Sequence, residues 1–205
     1  LALINASWVA GHASPEFATV LVSLTPSPSQ RLEMERQLPH EITHILLYQA
    51  YGANYSRLPQ WFNEGLASLS ELYSNADYKR ALQKAVQSNS LIPMESLCNG
   101  FPRESSGAYL AYAQSESFTR FLFQKYGNAS LQELAALYAD GVDCQQGIQT
   151  VYKTSLDQLE LRWKQEYLGM DAELLAWQSL LPYLAILLFV LIPIIAGGLW
   201  ILRRK

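Results

Sequence analysis

Early in the chain, apolar positions crowd into one β-branched run, residues 17–24 (Phe-Ala-Thr-Val-Leu-Val-Ser-Leu), which stops at Thr25-Pro26-Ser27-Pro28-Ser29. A run of this kind closed by prolines predicts a strand followed by a loop. From Pro39 the pattern changes: Ile42, Ile45, Leu46 and Leu47 recur near the helical period until Gly52, with Pro39 acceptable in a first turn. A second helix is predicted from Pro59 through Glu64 to Tyr73. Later helices are expected over 76–88, over 115–126 with Gly127 as its stop, over 130–139 with Gly141 after it, and over 155–168 closed by Gly169. Ser130 with Glu133 and Ser155 with Gln158 have the spacing of a capping box. Residues 88–106, with Pro93, Gly100, Pro102 and a Ser pair, read as a connection within one domain, beside the cleft. The expected fold class is α+β, mostly α-helical, with a small N-terminal strand region.

The end of the chain follows another rule. From Leu180 to Leu202 no side chain is charged, and as a helix this stretch would extend roughly 35 Å, enough for a hydrocarbon core of about 30 Å. Pro182 falls in a first turn, while Pro193 and Gly197-Gly198 would kink the helix, which membrane helices tolerate. A buried globular helix is seldom apolar on every side for so long. Arg203, Arg204 and Lys205 follow at once, so the positive-inside bias makes the C-terminus cytoplasmic and puts the folded part on the outer face. The expected layout is a domain at 1–170, a juxtamembrane linker at 171–179, one transmembrane helix at 180–202 and a basic tail at 203–205. A single anchor with a short basic tail suits a bacterial cell-surface protein. The chain starts at Leu1 without Met or a readable signal peptide, and an N-terminal truncation is expected.

Half of the 205 residues are apolar and 12% aromatic, which supplies a core and excludes disorder. Apart from the three terminal cations the chain holds 12 basic against 18 acidic side chains, so it offers no basic surface for nucleic acid. Cys98 and Cys144 lie in the part placed outside the cytoplasm, where a disulfide can persist; two buried free thiols are the alternative.

The chemistry starts at His40-Glu41-Ile42-Thr43-His44, an H-E-x-x-H sequence. On a helix, positions i and i+4 share a face, so two imidazoles reach one ion while the adjacent Glu points toward a metal-activated water. Catalytic zinc needs a third protein ligand. A metzincin would continue with Gly and His where Leu47 and Ala50 stand, so that class is excluded. Instead Trp61-Phe62-Asn63-Glu64-Gly65-Leu66-Ala67 places a carboxylate on the next predicted helix, and Glu64 completes a His₂Glu set. Asn63 and Ser68 are candidates for supporting the metal shell, and His12 is read as structural or surface.

H-E-x-x-H followed by W-x-N-E-G-x-A resembles the gluzincins, in particular the aminopeptidase N-like group and its smaller relatives with a peptidase MA-like domain. The resemblance continues at Ala111-Tyr112-Ala113-Gln114-Ser115-Glu116-Ser117-Phe118 and at the Leu-Glu-x-x-Trp of residues 159–163, and covers roughly 15–168. It implies a peptidase carrying one Zn²⁺, with His40, His44 and Glu64 as ligands and Glu41 as general base. It also implies Tyr112, just before a helix, as stabiliser of the transition state, with Tyr109 a rival. The G-x-M-E-N motif that binds a free amine in the aminopeptidases has no counterpart between Gly11 and Leu24, so exopeptidase action is not supported. The strand before the metal helix would be the edge that pairs with extended substrate, a role open to residues 17–24. Peptide or protein substrates and the membrane are the expected partners. The competing readings are an intramembrane protease, disfavoured because polar residues surround the motif, a structural zinc site, and a degenerate tethered module that binds peptide without cutting it.

Overall fold

The computed structural model describes residues 11–24 and 26–170, together with 180, 181, 183, 184, 187–189 and 191. Two strands, β1 (Gly11–Ser14) and β2 (Thr19–Val22), pair antiparallel, with Gly11 opposite Val22 and Ser14 opposite Thr19. The strand expected over 17–24 is therefore shorter. Its first residues belong to a 3₁₀ turn, Pro15–Phe17, whose proline lies at the start, and Ala18 follows with φ 47°. The sequence reading missed β1, in which only Ala13 is a buried apolar residue.

Helix α1 runs Gln30–Tyr51, starting well before Pro39. Pro39 is an interior residue, not part of a first turn. The preceding turns consist of good helix formers tied by Arg31–Glu35 and Arg36–Glu33 pairs, each at 2.7 Å, which supply the local support that the apolar pattern does not. A 3₁₀ segment, Gly52–Arg57, leads to α2 (Gln60–Leu69), which ends short of the expected Tyr73. Helix α3 (Ala76–Gln87) matches its expected span and is capped by Asn75, whose side chain accepts from the Asp77 N–H. The 88–106 connection contains one short helix, α4 (Met94–Leu97).

Helix α5 (Ser105–Ala139) merges two predicted helices across Gly127, where φ 81° and ψ 175° break the helical path. It also begins ten residues before the expected start at residue 115. Ser105, Ser106 and Gly107 look like loop, but Glu104 caps them by accepting from Ser106 N–H at 3.0 Å. Ser130 is accordingly inside the helix and bonds back to the Gly127 carbonyl, so no capping box forms there. Helix α6 (Cys144–Tyr152) was not expected, whereas α7 (Leu156–Arg162) opens on Ser155, which accepts from Gln158 N–H as the capping spacing requires. A π-helical turn, Trp163–Tyr167, replaces the end of that predicted helix.

The core sits between α2 and the first arm of α5. Trp61, Phe62, Phe118, Leu122, Tyr138 and Trp163 are fully buried, and the aromatic ones among them pack edge to face, with Trp61 to Phe118 at 5.3 Å and Phe118 to Trp163 at 5.6 Å between ring centres. Gly65 lets the two helices touch: a Cβ there would lie 2.7 Å from the Ser115 carbonyl oxygen and would meet Thr119 as well. Cys98 and Cys144 form a disulfide joining the end of α4 to the start of α6, so the free-thiol alternative falls. Residues 1–163 form one compact unit and 164–205 another. In the second, the described positions from 180 onward are helical. No helix among the described residues is long and apolar enough to cross a membrane. The linker at 171–179 and the tail at 203–205 lie outside the described residues, as does most of the predicted span at 180–202.

Candidate metal centre

Helix α1 turns an unusual face inward. Its buried residues are Gln37, His40, Glu41, His44 and Ile45, while Ile42 and Leu46 from the apolar pattern are 40% and 56% exposed. Burying a polar stripe costs free energy unless its groups are partnered, and the two histidines find partners in α2, in the 3₁₀ segment before it and in the segment after it. His40 and His44 stand one turn apart, with ring centres 5.1 Å from each other. From α2, Glu64 brings Oε2 to 3.3 Å from His40 Nε2 and 3.6 Å from His44 Nε2. The ligand atoms of these three residues all fall within 4.8 Å of one another.

The donor set can be tested for fit to zinc. Nitrogen and oxygen ligands bound at ~2.0–2.2 Å around a tetrahedral ion are about 3.3 Å apart. The two observed separations have that size, and both imidazoles turn Nε2 inward. Their Nδ1 atoms are occupied elsewhere: His40 Nδ1 lies 2.8 Å from Glu71 Oε1, and His44 Nδ1 lies 3.2 Å from Asn63 Oδ1 and 3.1 Å from the Tyr55 hydroxyl. Asn63 Nδ2 donates to that same hydroxyl at 2.7 Å, closing a three-residue fork behind His44. Outer contacts of this kind orient metal-binding imidazoles and set their tautomer.

The charges reflect the close packing. Burial pulls His40 down, but hydrogen bonds from its ring to Glu64 and Glu71 outweigh it and hold the imidazole at about 9. Burial pushes Glu64 up, and its hydrogen bonds with the two histidines reverse this, leaving it at about 2. Glu41 is raised above the usual carboxylate range, chiefly by burial, with His40 and His44 pulling it back. A carboxyl so placed is a better proton acceptor. Tyr112 is raised strongly by burial and then by the charges of Glu64 and Glu41, which keeps its hydroxyl protonated.

These residues line one cleft of about 630 Å³, bounded by β1, α1, the start of α3 and α5. Tyr112 stands in the second turn of α5, not before a helix, because α5 starts early. It feels the charges of Glu64 and Glu41, whereas Tyr109 hydrogen-bonds Asn75 and feels Arg36 and Arg80, so of the two rivals Tyr112 is on the side of Glu64 and Glu41. Asn63 supports His44 as expected. Ser68, the other candidate, makes no side-chain hydrogen bond among the described residues, so it touches neither histidine nor Glu64 through one. His12, read as structural or surface, lines the cleft from β1 beside Gly11 and Ala13. The strand flanking the cleft is thus β1, not the 17–24 run. A side chain at Gly11 would collide with Glu41, so glycine lets the strand pass directly over the carboxylate.

Glu71 and Tyr55 escaped the sequence reading. Glu71 is seven residues past Glu64, a spacing that returns to the same face of the helix expected to run to Tyr73, so its signal was available; in the structure it lies just beyond the end of α2 at Leu69. Tyr55 sits in a 3₁₀ segment that leaves no spacing signal. The family model described as the Peptidase MA superfamily matches residues 2–169 of the chain. No curated protein and no solved structure matches it.

Proposed function

The chain belongs to the Peptidase MA superfamily, and from that membership we propose that it is a zinc-dependent peptidase cutting extended peptides by water attack. The observation that carries the reading is the convergence of His40 Nε2, His44 Nε2 and Glu64 Oε2 at the spacing of a tetrahedral ion's ligands. One zinc held by these three residues would lower the pKa of a water toward ~7 and polarise a peptide carbonyl. The remaining steps belong to the protein. Glu41 accepts a proton from the attacking water and later delivers it to the nitrogen of the leaving amine, so the carboxylate is regenerated. The Tyr112 hydroxyl donates a hydrogen bond to the oxygen that gains charge as the carbonyl carbon becomes tetrahedral. Strand β1 offers its edge to an extended substrate, which favours cutting within a chain over trimming an end.

Support for membrane tethering comes from residues 180–202 and the basic tail: we place the catalytic domain outside the cytoplasmic membrane of a bacterium, with the C-terminus inside. Elemental analysis of the purified protein tests the centre. About one zinc per chain in the parent and none in His44→Ala is expected, with Glu41→Gln keeping zinc but losing turnover by ~10²-fold or more. A folded parent without zinc, or a fully active Glu41→Gln, overturns the reading.

A further inference from the structure

The catalytic helix continues along the cleft beyond the metal ligands. Glu33, Arg36 and Gln37 recur at helical spacing before His40 and line the same cleft. Arg36 is the one Arg or Lys lining it among the described residues, and it is already matched: Nη2 donates to Glu33 Oε2 at 2.7 Å, and Glu71 Oε2 stands 3.9 Å from Nη1. Two carboxylates therefore flank one guanidinium.

Glu71 adds an independent sign. Its side chain is 3% exposed, Oε1 is engaged by His40, and Oε2 makes no hydrogen bond among the described residues; the 3.9 Å to Arg36 is too long for one. A buried carboxylate oxygen without a donor is costly, and this one belongs to a residue of the cleft wall. Tyr78 and Tyr109, from α3 and α5, line the same cleft with ring centres 4.9 Å apart, and Tyr78 is stacked on Tyr112. Aromatic faces beside carboxylates make the surroundings in which proteins hold an alkyl ammonium or guanidinium: the rings pack its stem and attract its charge, and the carboxylates accept its N–H groups. An incoming carboxylate would instead have to displace Glu33 from Arg36.

We propose that this end of the cleft is a substrate subsite selective for a basic side chain, so that the peptidase cuts beside Lys or Arg. The substrate cation donates to Glu33, whose side chain is 47% exposed, with the charge of the buried Glu71 carboxylate behind it, and its stem lies against Tyr78 and Tyr109. The inference rests on the peptidase reading for its place in a reaction, but binding tests it without turnover.

The experiment uses the zinc-loaded full chain carrying Glu41→Gln and short alanine peptides blocked at both ends. Each peptide carries a single Lys, Arg, norleucine, Phe or Glu at successive positions, and binding is read by calorimetry. Lys and Arg should bind about ten-fold more tightly than norleucine at one position only, and adding Glu33→Gln should shrink that ratio and raise the affinity for Glu. Equal gains from Lys at every position would show net-charge attraction and overturn the subsite, as would a preference for norleucine, Phe or Glu, or a ratio indifferent to Glu33→Gln. The same peptides given to the enzyme with Glu41 intact separate the two claims. Positional Lys preference without cleavage keeps the subsite and overturns the peptidase; cleavage without preference does the reverse.

Discussion

In the proposed zinc centre, removing Glu71 should loosen the metal without touching any of its three proposed ligands. Its Oε1 lies 2.8 Å from His40 Nδ1 inside a wall where the side chain is 3% exposed, so the contact is charge-assisted and shielded from water. In Glu71→Ala the imidazole loses the acceptor that fixes its tautomer and points Nε2 at Glu64. Losses of such outer partners cost metal sites roughly 10- to 100-fold in affinity, or about 1.4–2.7 kcal/mol. Glu71→Gln keeps an oxygen that can accept from Nδ1–H but drops the charge, so it should fall between parent and alanine variant. Competition of each protein with a chromophoric zinc chelator at fixed pH gives the three affinities. The thermal stabilisation by saturating zinc should decline in the same order, since that gain follows the ratio of free metal to its dissociation constant. An alanine variant that holds zinc as tightly as the parent would refute the orienting role.

Gly65→Ala forces a methyl to within 2.7 Å of the Ser115 carbonyl, an overpacking that should cost about 1–3 kcal/mol in chemical denaturation and weaken zinc through the adjacent Glu64; an unchanged midpoint with unchanged affinity would contradict it. The metal-free protein should lose stability at both pH extremes. His40 is raised from 6.5 to about 9, so its contribution is complete below about 6.5 and disappears as pH climbs through about 9; Glu64 is lowered from 4.5 to about 2, so its contribution is present above about 4.5 and disappears as pH falls through about 2. Thermal melts of zinc-free protein should therefore decline from pH 6.5 to 9 while zinc-saturated samples, freed from proton competition at His40, gain on the zinc-free ones; parallel curves would sink this assignment.

The three residues that converge were legible because the chemistry proposed for them is bound to short spacings: i and i+4 on α1, then a carboxylate on the next helix. What surrounds them was less so. The start of α1 is set by ion pairs among Arg31, Glu33, Glu35 and Arg36, which leave no apolar rhythm, and the early start of α5 depends on one cap at Glu104. Helix α6 hides its signal in Gln145, Gln146 and Gly147, where the glycine faces the Tyr138 ring. Strand β1, which flanks the cleft, went unread because hydrophobicity marks burial, and β1 lies over a polar cleft. On α1 the same logic inverts, with function claiming the buried face and leaving Ile42 and Leu46 outside.

At Gly65, a residue that touches α5 follows directly on one that faces the ligands of α1. No flexible stretch of chain separates the two duties. A fluctuation that opens the pocket around Glu64 must also lift α2 from its partner helix, and with it Trp61 and Phe62, which are fully buried. Amide protons of α2 should thus exchange with solvent only through global unfolding, and the centre should have no loosened state of its own short of that.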